Sequence, residues 1–165
     1  MHIKTLIGIT VGSLLIWLPA FSEATTSDKP CPLAVAETIY VPSFSHVLTH
    51  ERTPQPLAST LVIHNVDPAA AITVNVATHH DASGTLIKDL LPKPVQVAPY
   101  GSTNFLIDIS DDRGGIGENF IVEWSSEEPV CSPLVFAVMV GGSGTHGISF
   151  SLDGRVISRD AAEQN

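Results

Sequence analysis

Hydrophobic residues in this chain fall in short runs with a period of two, and proline or glycine separates the runs. The clearest is "LASTLVIHN", where Leu57, Ser59, Leu61 and Ile63 share one face and Ala58, Thr60, Val62 and His64 the other. Successive side chains of a strand point to opposite faces, so this alternation predicts a half-buried strand. "ITVNVATHH" repeats it, with Ile72, Val74 and Val76 set against Thr73, Asn75 and Ala77. "ETIYVPSFS", "TLIKDLL", "KPVQVAP", "NFLIDI", "NFIVEW", "LVFAVMV" and "GISFSL" are further strand candidates. Pro42 interrupts the first of these and predicts an edge or a bulge, because proline cannot donate into a ladder. Turns are expected at Asp67-Pro68, at Asp81–Gly84 and around Tyr100-Gly101, and His50–Pro56 reads as a loop. Asp153-Gly154, between "SL" and "RVI", reads as a two-residue hairpin turn.

No segment carries a sustained helical period with caps at both ends. About eight to ten short strands, with turns roughly every ten residues, are the pattern of an all-β fold. The expectation is one immunoglobulin-like antiparallel β-sandwich over residues 37–157. A polar lead-in, 25–36, precedes it, and a polar tail, 158–165, follows it.

The first 24 residues read differently. Lys4 gives a basic start, Leu6–Leu18 is an uncharged apolar run, Pro19 breaks it, and Ser22-Glu23-Ala24 places small residues where a signal peptidase reads. The run is shorter than the about 20 apolar residues of a membrane span. Residues 1–24 are therefore expected to be a cleaved export signal, with an uncleaved anchor as the alternative. The mature protein would be periplasmic or secreted, with no membrane association beyond the signal. In an oxidising compartment Cys31 and Cys131 read as one disulfide; the alternative is two unrelated thiols.

Charge narrows the partners. Eight basic residues against 17 acidic ones leave a net charge of −9. That excess repels phosphate backbones and anionic lipid, which argues against nucleic-acid and membrane-surface roles. Hydrophobic residues are 44% of the chain, enough to build a core.

Candidate chemistry is sparse. "GGIGENFIVEW" begins with three glycines in four positions. A phosphate loop would need a following helix and usually a lysine, and neither is present. The acids Asp108, Asp111, Asp112 and Glu118 do not have the spacing of a helix-loop-helix calcium site. The reading is a glycine-dependent connection over 111–118, leading into a central strand. Phe120, Val122 and Trp124 would face the core, with Ile121 and Glu123 on the other side. Imidazole is a good ligand for zinc, copper or nickel, so His46, His50, His79 and His80 form a possible metal set. As strand neighbours, His79 and His80 would face opposite ways. Ser143 lies in Gly-x-Ser-x-Thr, not in the Gly-x-Ser-x-Gly of a nucleophile elbow. Tyr40, Phe44, His46 and Tyr100 are candidates for an aromatic binding surface; the alternative is that the aromatics staple loops to the sandwich ends.

The blocks "IYVPSFSH", "IHNVDPAAAITV", "GGIGENFIVEW" and "GISFSLDGRVI", in that order from about Glu37 to Ile157, resemble an uncharacterised family of exported bacterial proteins, known only as a domain of unknown function. "VQVAPYGSTNF" carries a looser likeness to immunoglobulin-like envelope domains, with Ala98 where an aliphatic is commoner. The resemblance implies no activity, cofactor or catalytic residue. The function expected is a non-catalytic envelope module that binds another protein or a small ligand, without a cofactor. The alternative is a periplasmic metal-binding protein that uses the histidine-bearing segments.

Overall fold

The computed structural model describes residues 31–51, 53–143 and 146–161. The expected export signal lies outside these residues. Eleven strands follow one another: β1 (Leu33–Phe44), β2 (His46–His50), β3 (Thr53–His64), β4 (Ile72–His80), β5 (Leu86–Asp89), β6 (Val95–Val97), β7 (Ser102–Ile107), β8 (Ile116–Cys131), β9 (Leu134–Ser143), β10 (His146–Asp153) and β11 (Arg155–Ala161). There is no helix among the described residues. The first sheet has the order β11-β1-β8-β4-β5, with β6 also on β4. The second has the order β10-β9-β3-β2, with β7 also on β3. Every pairing is antiparallel. The two sheets pack as a β-sandwich, the class that the period-two pattern predicts.

The core is the set of alternate residues from the facing sides. Ile39, Val41, Ile72, Val74, Phe120, Val122 and Trp124 come from the first sheet, and Leu57, Leu61, Ile63, Ala137 and Met139 from the second. β8 pairs with both β1 and β4 and is central, as expected for "NFIVEW". Phe120, Val122 and Trp124 are buried, Ile121 is half-buried on the outer side, and Glu123 is exposed.

Cys31 and Cys131 form the expected disulfide, with Cα atoms 5.5 Å apart. It joins segments that are already neighbours, since Leu33 pairs with Cys131 and Ala34 with Val130. β1 therefore starts at Leu33, inside the expected lead-in. β11 likewise extends to Ala161, into the expected polar tail. A buried acid explains that extension. Glu37 accepts hydrogen bonds from Trp124 Nε1 (3.1 Å), Ser132 Oγ (2.8 Å) and Arg159 Nε (2.6 Å), so Arg159 is held as the counter-charge of a carboxylate that has left water.

Three local expectations change. Thr53–Pro56 is the start of β3 and not loop. Prolines fit there because this part of β3 pairs with β2 alone, and β9 and β7 join only from Leu57 and Ser59. Asp153-Gly154 does not close a hairpin: β10 pairs with β9 in one sheet and β11 with β1 in the other. Gly154 carries the chain across, its N–H bonded to Val135 O (2.7 Å), where a Cβ would meet Ile39 and that same carbonyl. At Pro42, β1 is an interior strand of its sheet. Yet β11 reaches only Tyr40, and the register with β8 shifts between Pro42 and Phe44, so an edge and a bulge coincide locally.

Candidate functional site

The glycine stretch lies at the end of the sandwich where the chain passes from β7 to β8. Gly115 and Gly117 have φ of 78° and 100°, a region that side chains disfavour. Gly114 is required for a different reason. A Cβ there would collide with the Glu118 carboxylate. The loop is pinned on both flanks. Gly115 N–H donates to Ser45 Oγ (3.0 Å), and Ala82 N–H, in the turn after β4, donates to Gly114 O (3.0 Å).

Beneath this loop is a buried polar cluster that no sequence motif announces. Ser43 Oγ donates to Glu118 Oε1 (2.9 Å), and His79 Nε2 lies 3.0 Å from Glu118 Oε2. Ser43 and Ser59 hydroxyls are 2.6 Å apart. A hydroxyl has one proton, and Ser43 gives its proton to the carboxylate, so Ser59 is the donor of that pair. All four residues are fully buried. His79 Nδ1 has no hydrogen-bond partner among the described residues.

Serine, histidine and glutamate together suggest a hydrolase, but their order argues against one. A nucleophile needs its base beside it and an acid behind the base. Here the carboxylate sits in the middle, the histidine is not bonded to the serine, and all three are closed off from solvent. The cluster ties the start of β8 to β1, β3 and β4. The glycine-flanked Ser143 precedes Gly144-Thr145, which lie outside the described residues.

The acids around the loop are engaged locally. Ser83 Oγ and the Ser83 and Thr85 N–H groups converge on Asp81 Oδ1. These bonds hold its carboxyl below its ordinary pKa, the Ser83 hydroxyl most of all. Ser110 does the same for Asp108. The Arg113 guanidinium grips both oxygens of Asp111, lowering that carboxyl while rising itself.

The four histidines of the possible metal set do not converge. His46 and His50 lie on β2, and four strand residues span roughly 13 Å at the usual rise. His79 faces the core and is engaged by Glu118. His80 faces outward, with Nε2 3.0 Å from Thr78 Oγ1. Among the described residues no group of three or more His, Cys, Asp or Glu could hold a metal ion.

The candidate aromatic set is also dispersed. Tyr40 lies on the outer face of the first sheet, between Arg155 and Ile121. Phe44 packs edge-on against Phe150, with ring centroids 6.1 Å apart. His46 pairs with Pro56 near the start of β3, and its Nδ1 lies 3.1 Å from Ser45 Oγ. Tyr100 sits near the finish of β3, in the turn before Ser102 pairs with His64. It is 73% exposed, and its φ of 57° follows from a turn closed by Gly101 N–H to Ala98 O (2.8 Å). Glycine is usual at that third turn position, and a tyrosine there is strained.

The largest contrast on the surface is between the two outer faces. Across the first sheet run ladders such as Arg155–Tyr40–Ile121–Thr78–Asp89 and Ser158–Thr38–Glu123, which mix charge and polarity. Across the second run Ala58–Val140–Ser149, Leu106–Thr60–Val138–Ser151 and Asn104–Val62–Phe136, with Asp153 at the margin. The β3, β7 and β9 strands of this face contain no Lys, Arg, Asp or Glu. Leu106, Leu134 and Val140 are 57%, 59% and 50% exposed, and His64 stacks on Phe136 with ring centroids 5.8 Å apart. The sequence pattern shows this face as alternation, but the half assigned to solvent carries a run of apolar residues, Val62, Leu106, Phe136, Val138 and Val140, among uncharged polar ones such as Thr60 and Asn104.

The chain's likeness to known proteins bears on the family alone. A family model described as a protein of unknown function, DUF3124, matches residues 36–157. No curated protein matches the chain. Among solved structures, a crystal structure of Thermotoga maritima 1070 is similar, with 12% identity and a TM-score of 0.42, over 74% of this chain and 93% of that one.

Proposed function

We propose that this chain, which belongs to the DUF3124 family of proteins of unknown function, is an exported, non-catalytic binding module of the bacterial envelope. Its partner is another envelope protein, engaged by the outer face of the second sheet. The observation that carries this reading is the uncharged, apolar-rich surface that β3, β7 and β9 present on that face, in a chain of net charge −9. Exposed contiguous apolar surface rimmed by polar residues is the usual character of a protein-binding surface. The interior polar cluster supports the non-catalytic reading, because its serine, glutamate and histidine satisfy one another away from solvent. Export is supported by the apolar N-terminal run and by the disulfide, a bond that persists in oxidising compartments.

The test combines location with binding. Protein recovered from the native envelope should begin at Thr25 by intact mass. It should retain a partner in detergent extracts that a Leu106→Lys/Val140→Lys variant loses and a Thr78→Lys variant keeps. All three substituted positions face outward, so folding is spared. Recovery of the same partner by every variant would contradict the assignment of the face, and a mature chain beginning at Met1 would contradict cleavage.

A further inference from the structure

Strand β10 ends the second sheet, and its far edge has no strand partner among the described residues. An unpaired edge is a template for another strand, so edges are usually blunted by charge, proline, bulges or brevity. The neighbouring edge of the first sheet is blunted in two ways. β11 carries Arg155, Arg159 and Asp160, and its register against β1 shifts twice. At the opposite side β5 is four residues long and includes Lys88 and Asp89. β2 is five residues long and its register with β3 shifts. β7, which pairs with β3 alone, is uncharged too but is only six residues long, and β10 has none of these defences. It is eight residues long, in unbroken register with β9, without proline, and without Lys, Arg, Asp or Glu before Asp153.

Its sequence is also symmetric. Residues 148–152 read Ile-Ser-Phe-Ser-Leu, the same polarity pattern in both directions about Phe150. Ile148, Phe150 and Leu152 pack against the core but remain partly exposed, while Ser149 and Ser151 face out. An isologous contact requires that where residue i meets j, j also meets i. An antiparallel pair with its twofold axis through Phe150 satisfies this. Ile148 then faces the second copy's Leu152, Phe150 faces its counterpart, and Ser149 faces the second copy's Ser151. The apolar side chains gain cover on the core side, the hydroxyls pair on the outer side, and no charge opposes its like. That neutrality favours self-pairing in a chain of net charge −9, whereas the first sheet's edges, β11 and β5, would bring Asp160 or Asp89 into a contact between copies.

We propose that β10 is the docking edge for a second copy of this chain. It pairs antiparallel with itself about Phe150, so that the two second sheets become one continuous sheet. This goes beyond the outer-face reading and rests on the strand edge alone.

The experiment is sedimentation velocity of the exported protein from micromolar to millimolar concentration, alongside two double variants. The wild-type chain should pass from one to two copies. Ser149→Lys/Ser151→Lys and Ser149→Glu/Ser151→Glu should each stay single while keeping the wild-type far-UV spectrum. Mixed together, they should recover the two-copy species, since each introduced lysine then faces an introduced glutamate. Leu106→Lys/Val140→Lys, which tests the outer face, should leave the two-copy species intact. Amide exchange gives a reading that needs no variant: residues 147–152 of the wild-type chain should slow as concentration rises, and β11 should not. A wild-type chain that stays single throughout overturns the proposal, even if β10 then captures a strand from another protein. So does a two-copy species that survives in both charged variants, or exchange at 147–152 that ignores concentration.

Discussion

Glu118 joins three strands to its own through two hydrogen bonds and the serine beyond them, and its carboxylate is why Gly114 has no side chain. Truncation to Glu118→Ala would strand the His79 N–H in the core and leave the Ser43 hydroxyl with Ser59 alone. The expected cost is about 1–3 kcal/mol, the penalty for a buried polar group left without its partner. His79→Leu combined with Glu118→Leu should cost less than the single losses of His79→Leu and Glu118→Leu added together, because neither residue is left facing the other's missing group and Ser43 keeps Ser59 as its partner. Urea melts of the four-member cycle check this, and strict additivity would contradict it. The cluster was only partly legible in the sequence. Glu118 stood out as a loop acid and His79 as a possible ligand. Their meeting depends on strand register across separations of 39 and 75 residues, which local pattern does not encode. The depressed carboxyls of Asp81, Asp108 and Asp111 give a second prediction at this scale. Each binds its proton less readily folded than unfolded, so each stabilises the fold above its ordinary pKa. That contribution is lost as pH falls below about 4 through the lowered folded values. Melting temperature should therefore drop on acidification in this window. Asp81→Asn combined with Asp111→Asn should flatten the drop, which calorimetry at several pH values would show.

At the scale of the element, β8 is the strand the sequence reveals most fully. Trp124 is almost wholly buried, and Trp124→Ala should cost about 3–5 kcal/mol in denaturant melts. Two glycines inserted between Ser110 and Asp111 open the exposed turn that Asp111 N–H closes onto Asp108 O, and should cost about 1–2 kcal/mol, since such a bond is worth about 1 kcal/mol and closure entropy grows only logarithmically with length. If the insertion proved the more damaging, the loop would be a site in its own right. Period two found the strands because a half-buried strand must alternate. It could not say which strand pairs with which. Asp153-Gly154 has the residues of a hairpin turn, yet the chain changes sheets there, because Gly154 fits between Ile39 and the Val135 carbonyl. Pro54 and Pro56 read as loop because strand interiors exclude proline, and the exception arises because β2 alone pairs there, before β9 and β7 join, which only the topology shows.

For the whole molecule, the disulfide and the two outer faces matter most. The chain-entropy value for closing a loop of 100 residues is about 4–5 kcal/mol. Cys131→Ser should lower stability by no more than this, and the variant should still fold, because Leu33 and Ala34 already pair beside the bridge. Reversible melts of the two proteins without reductant decide it. The outer faces were half legible: alternation identified which residues leave the core, but the contrast between a charged ladder and an apolar one needs the sheet order. The claim that the apolar face holds a protein partner is tested most directly by photo-crosslinking in intact cells. A photoreactive amino acid is placed at Thr60, in the middle of the second sheet's outer face, or at Thr78, on the outer face of the first. The account predicts a discrete cross-linked product with a different protein from position 60 and none from position 78. Equal products from both positions, or none from position 60, would contradict it.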